Sequence, residues 1–207
     1  MDAFTRLTGI AAPMDQINVD TDQLTPARFI GGGRRGGSIG DILLHDHRFT
    51  EDGSEKPDFV LNQEPFRHAK ILVADTNFGC GSSRESAVTA LYAYGFRSVI
   101  APSFGDIFHS NAAKNGLLAV CLDAPTCASI RAALHASPGA EITIDLESQT
   151  VTDPGENKRI HHFEFDPFQK HCLLNGLDDI GLTLALDDEI KAHEARHRKE
   201  MSWLYRT

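Results

Sequence analysis

The run Lys70-Ile71-Leu72-Val73-Ala74-Asp75-Thr76-Asn77-Phe78-Gly79-Cys80-Gly81-Ser82-Ser83-Arg84-Glu85 decides the fold of this chain. Its first half is a short continuous apolar run, the pattern of a strand buried on both faces. Two glycines interrupt it. Beyond them Ala87, Val88, Leu91 and Tyr92 recur at helical core spacing, and Gly95 supplies a stop. A strand, a glycine turn and a helix start are thus written in one line, and the spacing predicts a helix over residues 82–95.

Working outward toward the C-terminus, Ser98-Val99-Ile100-Ala101 reads as the next strand. Ser103 is placed to cap a second helix with Phe104, Ile107, Phe108 and Ala112 on its apolar side, and Asn115-Gly116 ends it. Residues 117–122 form a third strand. This β-α-β-α-β order implies parallel pairing with right-handed crossovers. A further helix is expected over residues 125–134, and then the period changes to two. Glu141-Ile142-Thr143-Ile144-Asp145-Leu146 alternates, and residues 149–152 and 160–165 continue as a meander around the turn Asp153-Pro154-Gly155. Asp166-Pro167 opens a helix carrying Phe168, Cys172 and Leu173. The tail, residues 187–201, starts acidic and ends basic, as a helix dipole prefers. The expected class is α/β, a parallel α/β core plus an antiparallel β-meander, in a single domain over residues 1–207.

On the N-terminal side, residues 8–11 and 16–19 have β-like composition. Asp20 and Asp22 fit a side-chain-bonded turn or a ligand role, and Thr25-Pro26 halts any helix. Gly31-Gly32-Gly33-Arg34-Arg35-Gly36-Gly37 sets five glycines around two arginines. It reads either as a solvated linker or as a mobile flap over residues 31–37 that brings Arg34 or Arg35 to an anionic substrate.

Bulk properties exclude several classes. The chain has 207 residues, 41% hydrophobic and 24% charged, the balance of a globular protein. A net charge of −9 argues against a nucleic-acid backbone as partner. The apolar run over residues 117–122 is far too short for a bilayer, so no membrane association is expected. Met1-Asp2-Ala3-Phe4-Thr5-Arg6 lacks the basic and apolar regions of a signal peptide, and a cytoplasmic location is expected. The four cysteines, Cys80, Cys121, Cys127 and Cys172, contain no C-x-x-C pair and no complete iron–sulfur ligand set. Cys121 and Cys172 read as buried thiols. Cys80, beside a helix N-terminus and an arginine, stands where a thiolate is favoured.

Three readings compete for the glycine turn. Ser82-x-x-Glu85 has capping-box spacing and needs no further role. A dinucleotide fingerprint fails, because Arg84 replaces the third glycine and no acidic residue ends the strand 98–101. A nucleophile elbow fails at Glu85. The third reading is a site for a small polycarboxylate. Arg84 offers a bidentate fork, Ser83 and backbone N–H groups offer further donors, and Ser82 acts on a C–H proton. A serine is a poor base, so this needs the positive field of the helix end and Arg84.

At this point the sequence resembles a known family. The run from Asn77 to Glu85 resembles the serine-serine-arginine signature of the swivelling domain of the aconitase superfamily. Asn18-Val19-Asp20-Thr21-Asp22, Pro102-Ser103-Phe104-Gly105-Asp106-Ile107-Phe108 and Asn115-Gly116-Leu117-Leu118 match as well. Asn175-Gly176-Leu177-Asp178-Asp179-Ile180-Gly181-Leu182-Thr183-Leu184 is similar to the C-terminal signature of one branch, the small subunits of 3-isopropylmalate dehydratase. The resemblance implies a swivelling β/β/α domain with Ser82 as catalytic base and Ser83 and Arg84 as ligands of a substrate carboxylate. The loop with Arg34 and Arg35 lies where relatives place a substrate-recognition loop. The resemblance also implies a small dicarboxylate substrate, leucine biosynthesis, and no cofactor bound by this chain. A [4Fe-4S] cluster is expected on a separate large subunit, the partner. One position departs: relatives usually carry histidine after the motif's glutamate, where this chain has Ser86. A sibling protein acting on citraconate or another methylated malate would share every motif, and a non-catalytic anion-binding or regulatory module remains the reading from a different class.

Overall fold

Strand β1 (Arg6–Pro13) serves two partners with its two halves. Its first half pairs antiparallel with a later strand, Arg6 opposite Asp145 through Ile10 opposite Glu141. Its second half pairs in parallel with another, Ala11 opposite Ile71 through Pro13 opposite Val73. The switch joins a parallel sheet and a meander into one mixed sheet of seven strands. The structure, a computed structural model, describes residues 1–30, 37–155 and 158–205.

After β1 the chain runs through two single-turn helices, α1 (Thr21–Leu24) and α2 (His45–Arg48), to β2 (Ile71–Val73). Helix α3 (Glu85–Tyr94), β3 (Ser98–Ala101), α4 (Asp106–Lys114) and β4 (Leu118–Cys121) complete the parallel half. Helix α5 (Ala124–Ala136) leads to the meander β5 (Glu141–Asp145), β6 (Thr150–Thr152) and β7 (Ile160–His162), and α6 (Pro167–Asn175) follows. The spatial order is β4-β3-β2-β1-β5-β6-β7. Pairing is parallel from β1 to β4 and antiparallel from β1 through β5 and β6 to β7. The parallel core and antiparallel meander read from the residue pattern are both present.

Alternate residues of the parallel strands feed two apolar layers, as the pleat requires. Leu72, Val99 and Ala119 pack with Val88 and Leu91 of α3 and Phe108 of α4. Ile71, Val73, Ile100 and Val120 face the other way, onto Ile130 and Leu134 of α5 and onto Ile142 and Val151 of the meander. These strands are buried on both sides, which is why they read as continuous apolar runs.

Residues Met1–Gly176 form one compact unit and the chain from Leu177 onward a second. The second unit contains α7 (Asp179–Leu184) and α8 (Asp187–Glu200), neither with a buried residue. Helix α8 opens on Asp187, Asp188 and Glu189 and closes on His197, Arg198 and Lys199. Among the described residues no helix is long and apolar enough to cross a membrane.

Several local expectations change. The helix expected from residue 82 begins at Glu85. Residues 16–19 form no strand: Asn18 takes φ +54° and its N–H donates to the Thr76 carbonyl at 3.0 Å, so the segment lies against the glycine turn. Ser103 caps no helix, because α4 starts after Gly105, and its hydroxyl instead accepts from the Asn77 N–H at 2.9 Å. Cys121 is exposed, since β4 is the sheet's edge strand and Cys121 is its last residue, whereas Cys172 is buried.

Candidate active site

The turn between β2 and α3 is held open by main-chain pairing to the segment before α1. The Gly79 N–H donates to the Val19 carbonyl at 2.7 Å, and the Thr21 N–H donates to the Cys80 carbonyl at 3.0 Å. Asp20 and Cys80 form an isolated parallel bridge, and the buried Thr21 hydroxyl donates to the Ser82 carbonyl at 2.8 Å. Residues 79–82 therefore run beside residues 19–21, and this pairing keeps Ser82 out of the helix.

Beneath the turn lies an aromatic floor. Phe78 meets Phe108 edge-on at 5.4 Å between centroids, and Phe104 stacks on Phe108 at 6.0 Å. Gly79 has φ +71°, and a Cβ there would lie 2.3 Å from Phe108 Cγ. At Gly105 a Cβ would lie 2.5 Å from the Gly79 carbonyl oxygen. Both glycines are required because backbone and ring approach closer than any side chain allows.

On this platform Ser82 and Ser83 are exposed and Arg84 is half-buried. Arg84 Nη1 pairs with the Asp22 carboxylate and donates to the Thr25 carbonyl at 3.3 Å. Among the described residues these contacts engage Nη1 alone, leaving the Nε–Nη2 edge for a second carboxylate. Arg84 is also the N-cap of α3 and makes no side-chain cap bond. An N-terminus of this kind favours an anion through its unpaired N–H groups and dipole. The capping box is not formed: Glu85 is the first helical residue and accepts from Asn115 Nδ2 at 3.0 Å.

Ser82, Ser83 and Arg84 are thus brought together at one helix end. Arg34 and Arg35 lie outside the described residues. The Cys80 thiol does not become an easy thiolate, because burial and the Asp20 charge push its pKa up. Asp20 caps α1, accepting from the Gln23 N–H at 2.7 Å, as the turn reading anticipated. Three contributors escaped the sequence: Asp22 as the partner of Arg84, Thr21 as the support of Ser82, and Thr25 behind Arg84. The sequence marked Thr21 and Asp22 only as part of a polar run that matches the family, without these partners.

The site is open. Three hollows, of about 780, 360 and 530 Å³, are lined by residues other than Ser82, Ser83 and Arg84, the second of them by Phe104 of the aromatic floor. The first of these is walled by Phe29, His45 and Phe49, and its Arg28 is already paired with Asp46. Among the described residues no three His, Cys, Asp or Glu side chains converge as metal ligands would. Ser82, Ser83 and Arg84 carry no thiolate of the kind that holds an iron–sulfur cluster.

Comparison with known proteins places the chain. Residues 1–125 match the family model for the Aconitase C-terminal domain, and residues 128–167 match the one described as LeuD_N. Residues 179–207 match the model for the C-terminal domain of the 3-isopropylmalate dehydratase small subunit. The 3-isopropylmalate dehydratase small subunit of Rhodospirillum centenum is 50% identical over 98% of this chain and 98% of its own. That of Paramagnetospirillum magneticum is 49% identical over 99% of this chain and 100% of its own. The crystal structure of 3-isopropylmalate dehydratase (leuD) from Methanocaldococcus jannaschii superposes with a TM-score of 0.62 at 23% identity, covering 91% of this chain and 99% of that one, which establishes a shared fold. With half of its residues identical to such subunits along nearly the whole length, the chain belongs to the family of 3-isopropylmalate dehydratase small subunits.

Proposed function

We infer that this chain works as the small subunit of a 3-isopropylmalate dehydratase, a hydro-lyase that interconverts 2- and 3-isopropylmalate through an alkene diacid in leucine biosynthesis. Ser82 is the base that removes the C–H proton in dehydration and returns it in hydration. Arg84 grips a substrate carboxylate through its Nε–Nη2 edge, and Ser83 donates to the same group. Asp22 and the Thr25 carbonyl hold Arg84 by Nη1 while it does so. A serine hydroxyl loses its proton only in a positive field, and the guanidinium together with the uncapped start of α3 supplies one.

The observation that carries this reading is the placement of exposed Ser82 and Ser83 beside a guanidinium held from behind at an uncapped helix end. The rest of the site is supplied by the large subunit, in the cytoplasm, and we place the [4Fe-4S] cluster there. When bound, such a cluster supplies a Lewis acid for the departing hydroxyl. Arg34 or Arg35 is a further substrate ligand, as the family resemblance implies.

Complementation tests this reading. A leucine auxotroph lacking its own small subunit, given this chain and its cognate large subunit, is expected to grow without leucine. Failure to grow, with turnover of citraconate or a methylated malate by the same pair, would overturn the assignment of substrate.

A further inference from the structure

Helix α1 and its C-cap hold the catalytic turn at two points. The Thr21 hydroxyl donates to the Ser82 carbonyl at 2.8 Å, and the Thr25 carbonyl accepts from Arg84 Nη1 at 3.3 Å. Both contacts come from one short turn, so whatever fixes that turn fixes the two residues together.

Thr25 is fully buried, and its hydroxyl has a single proton. One neighbour is the Thr21 carbonyl at 3.2 Å, which only accepts. The other is the Ser86 hydroxyl at 3.1 Å. The Thr25 proton therefore goes to Thr21, and Ser86 must donate to Thr25. A directed chain results, from Ser86 on the first turn of α3 through Thr25 to the main chain of α1. The Ser86 carbonyl accepts from the Thr89 hydroxyl at 3.2 Å, so its own hydroxyl is not engaged along the helix there. The hydroxyl of Ser86 thus points back toward the turn, onto the residue whose carbonyl steadies Arg84.

We propose that Ser86 is a positioning residue for this half-site: its hydroxyl locks Thr25, and the Thr25 carbonyl in turn sets the guanidinium of Arg84 for the substrate carboxylate. The proposal rests on the reading of Arg84 as the carboxylate ligand. It gives a role to the one motif position at which the chain departs from the resemblance, where a short hydroxyl rather than an imidazole meets a buried threonine.

The enzyme reconstituted from this chain and its cognate large subunit tests it, with initial rates measured on 3-isopropylmalate. Ser86→Ala is expected to raise KM about three- to tenfold, the effect of one lost buried hydrogen bond on ligand placement. It should leave kcat within about twofold, as weakened binding without a changed transition state requires. Thr25→Val should reproduce that split, the double variant should be no worse than the larger single effect, and Ser86→Thr should restore KM. An unchanged KM in Ser86→Ala overturns the proposal, as does a rise that Thr25→Val does not share. So does a loss that follows the melting temperature and is not restored by Ser86→Thr. Arg84→Ala, run alongside, separates the two levels. Abolished activity there with an innocent Ser86→Ala defeats the positioning role alone, whereas an innocent Arg84→Ala defeats the reading beneath it.

Discussion

Replacing Gly79 by alanine tests how tightly the glycine turn is built into the scaffold. Two costs apply. The residue sits at φ +71°, where an L side chain loses about 1–2 kcal/mol. The new Cβ would also lie 2.3, 2.6 and 2.7 Å from Phe108 Cγ, Cδ2 and Cβ. Because Phe108 Cβ is among these atoms, no rotamer of the ring clears the clash. Either the turn or α4 must move, against a ring that is 2% exposed and packed on Phe78. Forced overpacking of this kind costs about 1–3 kcal/mol more. The sum, about 2–5 kcal/mol, is a large share of the roughly 5–15 kcal/mol that stabilises a typical domain. Gly53 provides the control, since it also has positive φ, +84°, but a Cβ there meets nothing within 4 Å. Urea unfolding followed by circular dichroism is expected to place Gly53→Ala about 1–2 kcal/mol below the parent. Gly79→Ala should fall at least a further 1 kcal/mol or so below that. Equal losses at the two positions would refute the argument that close approach, rather than backbone conformation, demands glycine at the turn.

Two other predictions concern the scaffold. Burial holds His47 and His109 below the ordinary histidine value of 6.5, so the unfolded chain binds more protons than the folded one as pH falls. Their contribution is complete above pH 6.5 and is lost below it, so the urea midpoint should drop between about pH 7.5 and about pH 5.5, and His109→Gln should flatten that drop. Arg131, buried on α5, donates to the Ala74 carbonyl at 2.7 Å and pairs with Asp15 and Asp75 at the end of β2. Arg131→Leu should cost about 2–4 kcal/mol in the same melts, because it removes the guanidinium bond to the Ala74 carbonyl and the ion pair to Asp75.

The parallel core is readable because strands buried on both faces leave unbroken apolar runs, and residues 71–74, 99–101 and 117–122 are such runs. The meander is readable because alternation survives wherever one face stays wet, as in Glu141–Asp145. The turn itself is not. Ser82 and Glu85 have the spacing of a capping box, and local rules start the helix there. The structure starts it at Glu85 because Thr21 and Val19 draw residues 79–82 into extended pairing, a tertiary effect about 60 positions away in sequence. The same distance hides the pairing of Asp22 with Arg84. Cys80 misleads for a related reason: the helix end and arginine are visible in the sequence, but the desolvation and the nearby Asp20 that push the thiol up are not.

The central claim is that this chain supplies the base of a two-subunit hydro-lyase. Its most direct test is the kcat of Ser82→Ala in the enzyme reconstituted with the large subunit, measured on 3-isopropylmalate. Removing a general base should lower kcat by about a hundredfold or more while KM stays within about threefold of the parent. A Ser82→Ala enzyme that turns over at the parent's rate would contradict the account.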